Sequence, residues 1–291
     1  MYDDDPNWRQ FFGILKNLYP EHPLHIDIAG TIESIAEITA DDLYRCYHTF
    51  YHPSNMTLFI VGSVDPEALL EVVRKNQAAK EFAPIKPIER YFPEEKLTDI
   101  VPFSSLEMPV SRAKAVVGIK GQQEALPRVP YELLRFRTAL NLLFQLMLGN
   151  TSSNYLHLYN EGVIDDTFGF EFSLDRSFHF ADFSGDTDNP DAFADAIEDI
   201  LLDFASDPEV NQQNLTLLKK KMLGKYFQSL NSLEFIANQF TQDLFGEVTL
   251  FDVPQVIQSV ELADVLAAGK QFIHKEAFSR FYLEPIKDAR S

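Results

Sequence analysis

The residues suited to chemistry are few, and their spacing decides what each set can do. His48 and His52 stand at i and i+4, a spacing that puts two imidazoles on one helix face within reach of one ion. No Glu lies between them to activate a metal-bound water. Pro53 cuts the helix short directly after the pair, and no third ligand is evident. The plainer role is structural, at a helix end. His22 and His25 lie in the turn Glu21-His-Pro-Leu-His25. Asp186, Asp188 and Asp191 have a spacing loosely like that of a calcium loop, but the Gly and the distal Glu are missing. Capping of a helix by Asp188 or Asn189, ahead of Pro190, is the simpler expectation. Ser152-Ser153 offers a hydroxyl nucleophile, with no His that the sequence can place beside it as a base.

Elements must position these groups. Residues 6–19 read as an amphipathic helix, with Pro6 at its first position and Trp8, Phe11, Phe12, Leu15 and Leu18 at three- and four-residue spacing. Thr39, with Asp42 three residues on, predicts a capped helix through Leu43, Tyr47 and Phe50, ending near Pro53. Residues 55–62 read as a β-strand, and Pro66 to Lys80 as a helix. Between 83 and 109, Pro84, Pro87, Pro93, Pro102 and Pro109 erase any period, which predicts an extended linker. A second unit follows. It has a strand at 113–119, an apolar helix at 131–148, a short helix at 152–160 ended by Gly162, and two paired strands within 166–186. Helices near 190–205, 211–230, 232–245 and 261–272 and a strand at 279–283 complete it.

Composition narrows the function classes. The chain has 291 residues, 45% of them hydrophobic, with 25 Phe and 11 Tyr, so packed cores are expected and global disorder is excluded. Asp and Glu total 44 against 25 Lys and Arg, a net charge of −19 that repels a phosphate backbone. The densest basic run, Lys219-Lys220-Lys221, reads as one solvated helix face. No nucleic acid is therefore expected as a partner. Cys46, the one cysteine, excludes a disulfide framework and a cysteine-based zinc site. Asp3, Asp4 and Asp5 stand where a signal peptide would carry basic residues, and no run reaches the ~20 apolar residues of a membrane span. A soluble cytoplasmic protein is the expectation.

The two ends repeat one another. Set without gaps at an offset of 257 − 35 = 222, Ile35–Val61 and Ile257–Leu283 share Ile35/Ile257, Asp42/Asp264, Phe50/Phe272, His52/His274 and Phe59/Phe281. Twelve of the 27 pairs are apolar on both sides, where chance gives roughly five to six. The second unit begins near Ser111, so its first-unit counterpart would begin near 111 − 222 = −111. The repeat thus predicts that roughly 110 residues of the first unit precede Met1.

These residues carry a resemblance. Gly30-Thr-Ile-Glu-Ser-Ile35, Ile38-Thr39-x-x-Asp42-Leu43, Tyr51-x-Pro53-x-Asn55-Met56-x-Leu58 and Val61-Gly62 resemble the pitrilysin/insulinase zinc peptidases, which include the mitochondrial processing peptidases and bacterial relatives. Leu148-Gly149-Asn150-Thr151-Ser152-Ser153 is similar to the Gly/Ser turn of that family's second domain. The resemblance implies an α/β fold of duplicated domains, each an antiparallel-rich sheet with packed helices, the first incomplete here. The expected divisions are 1–83 for the end of the first domain, 84–110 for the linker and 111–291 for the second domain.

The resemblance also implies a zinc ion held by His-x-x-Glu-His and a later Glu, which would lie just before the segment Tyr2-Asp3-Asp4-Asp5-Pro6. No His-x-x-Glu-His occurs in the chain. Zinc is therefore expected only in a full-length parent, and the chain alone is expected to be inert. Active relatives present an Arg and a Tyr from the second domain to substrate. Here Tyr159 or Asn160 stands at the Arg position and Asp165 at the Tyr position. Tyr155, Tyr159 and Asn160 are the substrate-binding residues the resemblance points to. The partner would be a peptide substrate or a homologous peptidase subunit, with self-association through exposed apolar surface.

Overall fold

In a computed structural model, residues 4–175, 177–242 and 248–286 are described. The chain forms two compact units. The larger comprises Met1–Ala29, Phe92–Leu223 and Val253–Ser291, and the smaller Gly30–Tyr91 and Gly224–Asp252. Helix α1 (Pro6–Leu18) belongs to the larger unit; α2 (Ile32–Glu37), α3 (Ala40–Phe50) and α4 (Pro66–Ala78) belong to the smaller. The larger unit resumes with β1 (Phe103–Met108), β2 (Ala113–Lys120), α5 (Pro130–Leu148), α6 (Ser153–Asn160), β3 (Gly169–Leu174), β4 (His179–Thr187) and α7 (Pro190–Leu202). Helix α8 (Gln212–Ser229) starts in the larger unit and ends in the smaller, which also holds α9 (Leu233–Gln242). Helices α10 (Val253–Ser259) and α11 (Leu262–Phe272) and strand β5 (Phe278–Pro285) return to the larger unit.

In the larger unit, five strands form one sheet in the order β1-β5-β2-β4-β3 among the described residues. Strand β1 runs parallel to β5, and the other neighbours are antiparallel. Strand β2 lies inside the sheet with both faces covered, which is why Ala115 to Ile119 is a continuous apolar run rather than an alternation. Ala115, Val117 and Ile119 join Phe183, Leu140, Phe144, Phe193 and Phe272 in the core under α5, α7 and α11. Val116, Phe180, Phe281 and Leu283 face the other way and pack on Ile14, Leu15, Leu18 and Tyr19 of α1 and its C-terminal end. Of the apolar stripe of α1 read from sequence, Leu15 and Leu18 pack on the sheet together with Ile14, Phe12 packs partly against it, and Phe11 is exposed. Glycines allow the close approach. A Cβ on Gly118 would stand 2.6 Å from Ile14, and one on Gly13 would stand 2.4 Å from the Phe281 ring. Polar anchors fix the register: Gln10 Nε2 donates to the Ala115 carbonyl at 2.9 Å, and Asn17 Nδ2 to the Arg280 carbonyl at 3.0 Å.

Several expectations change here. Residues 55–62 form no strand among the described residues. A strand needs a hydrogen-bonded neighbour, and Thr57 to Val61 have no backbone partner among the described residues. Strand β1 emerges within the stretch expected to be linker, because Arg280 N bonds the Pro102 carbonyl and β5 templates the six residues after it. Helix α1 covers one face of the sheet in the larger unit. Tyr2, Asp3 and the end of the helix expected to reach 245 lie outside the described residues. The capping box at Thr39 is present, with Asp42 N donating to Thr39 Oγ1 and Thr39 N to the Asp42 carboxylate.

The internal repeat is also structural through the helix and the turn after it, while β5 has no counterpart strand among the described residues. Helix α3 spans 40–50 and α11 spans 262–272, and the 3-10 turns after them span 53–55 and 275–277, all at the offset of 222.

Candidate functional site

Helix α6 begins at Ser152, whose buried hydroxyl accepts from Tyr155 N at 3.1 Å. Gly162, just past its C-cap, has a φ of 70°, in the left-handed region that suits glycine after a helix. Tyr155 and Tyr159, one turn apart, stack with ring centroids 5.9 Å apart and an interplanar angle of 21°. Asp166 accepts a hydrogen bond from the exposed Tyr159 phenol and raises its pKa. Asn160 is the last helical residue and is exposed. The structure thus brings Tyr155 and Tyr159 together and leaves Asn160 beside them.

The loop after α6 is tied to the sheet by residues that sequence reasoning did not single out. Arg112, in the turn before β2, donates from Nη1 to Asp165 at 2.6 Å and from Nε to Asp188 at 2.8 Å. Burial opposes charge on Asp165, but hydrogen bonds from Thr167 and Arg112 outweigh it and hold the carboxyl below its usual range. Asp186 N donates to Thr167 Oγ1 at 2.8 Å, and the Asp186 carboxylate pairs with Lys114. Beside this rim, the sheet and the first turns of α1 enclose a cleft of about 380 Å³ that includes Asp182 and Ser184. No local pattern announces the Arg112 contacts, because their partners are 53 and 76 residues away in sequence.

The other candidates take structural positions. His52 bonds Ser54 Oγ at 2.7 Å through Nδ1 and the Ala83 carbonyl at 3.0 Å through Nε2, so both its nitrogens are engaged. His48 packs against Tyr44 and Tyr47. His22 Nδ1 accepts from Leu24 N, and His25 Nδ1 meets the Tyr19 carbonyl. Asn189 caps α7, accepting from Ala192 N, while Asp186, Asp188 and Asp191 go separately to Lys114, Arg112 and Tyr282. Ser153 donates to Glu209. Lys219 donates to the Gln258 and Val260 carbonyls at 2.7 Å, so the basic run partly caps α10. Among the described residues no group of three or more His, Cys, Asp or Glu could hold a metal ion.

The larger unit is a helix-covered, mostly antiparallel sheet, with the Gly/Ser turn leading into α6. Residues 37–222 match the family profile described as the peptidase M16 inactive domain. The chain belongs to the M16 peptidase family, which confirms the fold and family the resemblance implied. It is 43% identical over 265 residues to zinc protease YmfH of Bacillus subtilis, covering 91% of this chain and 61% of that protein. With zinc protease PqqE of Helicobacter pylori it shares 21% identity, covering 97% of this chain and 63% of the relative. The crystal structure of an M16-like peptidase from Alicyclobacillus acidocaldarius superposes with a TM-score of 0.90 at 30% identity, covering 98% of this chain and 67% of that one. The chain therefore spans about three fifths of the length of YmfH and PqqE. No helix among the described residues is long and apolar enough to cross a membrane.

Proposed function

We propose that the chain is the substrate-enclosing, non-catalytic portion of a two-domain zinc peptidase, inactive by itself and complete only with a segment carrying His-x-x-Glu-His. The observation that carries this reading is the internal repeat. In the larger unit, α11 and β5 are buried under α5 and between β1 and β2. In the smaller, α3 and the stretch after it recur at the same offset with their apolar side chains exposed. A half-domain of this kind calls for a helix and strands to cover it. Residues 1–83 would then be the end of a first domain, and 84–110 its connection to the second. The peptide substrate would meet the Tyr155/Tyr159 surface. A cytoplasmic location goes with the single cysteine.

The test is direct. The purified chain should contain no stoichiometric zinc and should not cleave fluorogenic peptides. Co-expression with the upstream third of the gene should bring one zinc per complex and peptidase activity. One tightly bound zinc per isolated chain would overturn the reading.

A second reading has its own observation. Tyr159 or Asn160, and Asp165, stand where active relatives are expected to present Arg and Tyr, and Asp165 is committed to Arg112. These residues favour a family member that serves as a partner subunit of an active peptidase. An upstream sequence without His-x-x-Glu-His would select it.

A further inference from the structure

The cleft beneath α1 is lined unevenly. Phe11 and Ile14 of α1 and Val116 of β2 form apolar walls, and Asp182 and Ser184 of β4 supply polar groups from the sheet. The Asp182 carboxyl makes no hydrogen bond or ion pair among the described residues and is half-buried in the cleft. Burying an unpaired carboxylate is costly, and a cation that enters beside it removes that cost. Lys114 does not fill the role, because its ammonium is paired with Asp186. Glu171 stands opposite Asp182 in the β3–β4 register and deepens the negative field. A volume of about 380 Å³ suits a slender group.

We propose that this cleft binds an alkylammonium or guanidinium group, with the aliphatic stem along Phe11, Ile14 and Val116 and the charged head on Asp182 and Ser184. Basic side chains bury their stems on apolar surface in this way. Where the group is carried by a peptide, the proposal rests on the peptide-binding reading above; as a free amine it does not. Asp182 is pushed up to about 7 by burial and by Glu171. Among the groups facing it, Glu171, Asp186 and Lys114 are titratable, and α1 presents Asn7, Gln10, Phe11 and Ile14. Affinity for the cation should therefore fall as the pH drops from 8 to 6 and Asp182 takes up a proton.

The test uses the whole chain and three probes: cadaverine and two labelled nonapeptides that differ only in a central lysine or norleucine. At pH 8 the lysine peptide should bind at least tenfold more tightly than the norleucine peptide. Asp182→Asn should abolish the difference, as should Ser184→Leu, which fills the cleft and leaves the carboxyl in place. Equal binding of the two peptides overturns the cleft assignment and leaves peptide binding standing. Cadaverine binding without peptide binding upholds the cleft and removes its peptide ligand. If none of the probes binds, the proposal falls. The comparison of lysine with norleucine needs no variant, so misfolding of a variant cannot decide it.

Discussion

At the scale of single residues, two titratable side chains on β4 respond to acid in opposite senses. His179, set among Phe136, Phe172 and Phe272, is pushed down to about 4 by burial. From pH 6.5 down to about 4 the unfolded chain binds a proton there that the folded chain refuses. Stability is lost over that window, on the order of 3 kcal/mol if it is crossed completely. Asp182 is pushed from 3.8 up to about 7 by burial and Glu171. The folded chain keeps a proton that the unfolded chain releases, so stability is lost as the pH rises from about 4 to 7, by a similar amount. The two effects oppose one another where the windows overlap. Relative to wild type, Asp182→Asn should gain stability steadily from pH 4 to 7, and His179→Gln should gain as the pH falls from 6.5 to 4. Urea midpoints at pH 4.5, 5.5, 6.5 and 7.5 read both differences, and a variant offset constant across that range would refute its assignment. A simpler substitution probes the same histidine. A Cβ on Gly121 would lie 1.9 Å from His179 Nε2. The ring has little room to move, so Gly121→Ala should cost about 1–3 kcal/mol in urea denaturation, and a neutral result would mean the ring can shift.

At the scale of elements, α1 decides what the sheet can do. It converts one face of β2, β4 and β5 from exposed surface into a second core and roofs the cleft at Asp182. Gly118 is one of two points where α1 and the sheet approach closely. Gly118→Val would drive a side chain into Ile14 and Leu18 and should cost about 1–3 kcal/mol, lowering Tm by several degrees. The same variant should weaken lysine-peptide binding, since the roof of the cleft lifts; unchanged stability would show that α1 does not bear on β2. The elements that sequence reasoning recovered announce themselves locally. Thr39 and Asp42 cap α3, Pro6 opens α1, Gly162 closes α6, and alternating Phe residues mark β3 and β4. Strand β1 was hidden because its pairing comes from β5, some 177 residues later in the chain, while Pro102 and Pro109 at its ends read as linker. Residues 55–62 failed in the opposite way, because their composition is that of a strand but pairing requires a neighbour. The stack of Tyr155 on Tyr159 follows from i, i+4 spacing, whereas Arg112 and Asp182 gain their roles only after the chain has folded over them.

At the scale of the whole molecule, the two copies of the repeat differ in what covers them. Val265 and Phe272 of α11 are 0% and 1% exposed, while their counterparts Leu43 and Phe50 in α3 are 62% and 46% exposed. Burying such side chains contributes about 1.5–3 kcal/mol each, so the larger unit gains at positions where the smaller does not. The smaller unit does have contacts of its own. Phe59 stacks on Phe240 with centroids 4.2 Å apart, and the Tyr226 hydroxyl donates to the Leu250 carbonyl at 3.0 Å. These contacts are too few to protect α3 as α11 is protected. Amide hydrogen exchange should therefore be fast across 40–50 and 66–78 and slow across 262–272, with the gap set by local opening rather than global unfolding. The exposed apolar face should also bind a hydrophobic dye and promote self-association. Replacing Leu43 and Phe50 with Ser should reduce both while leaving the melting transition of the larger unit within about a degree, because neither side chain contributes to its core. Equal protection of α3 and α11, or dye binding that persists in the double variant, would mean that the face is already covered and that the half-domain interpretation is wrong.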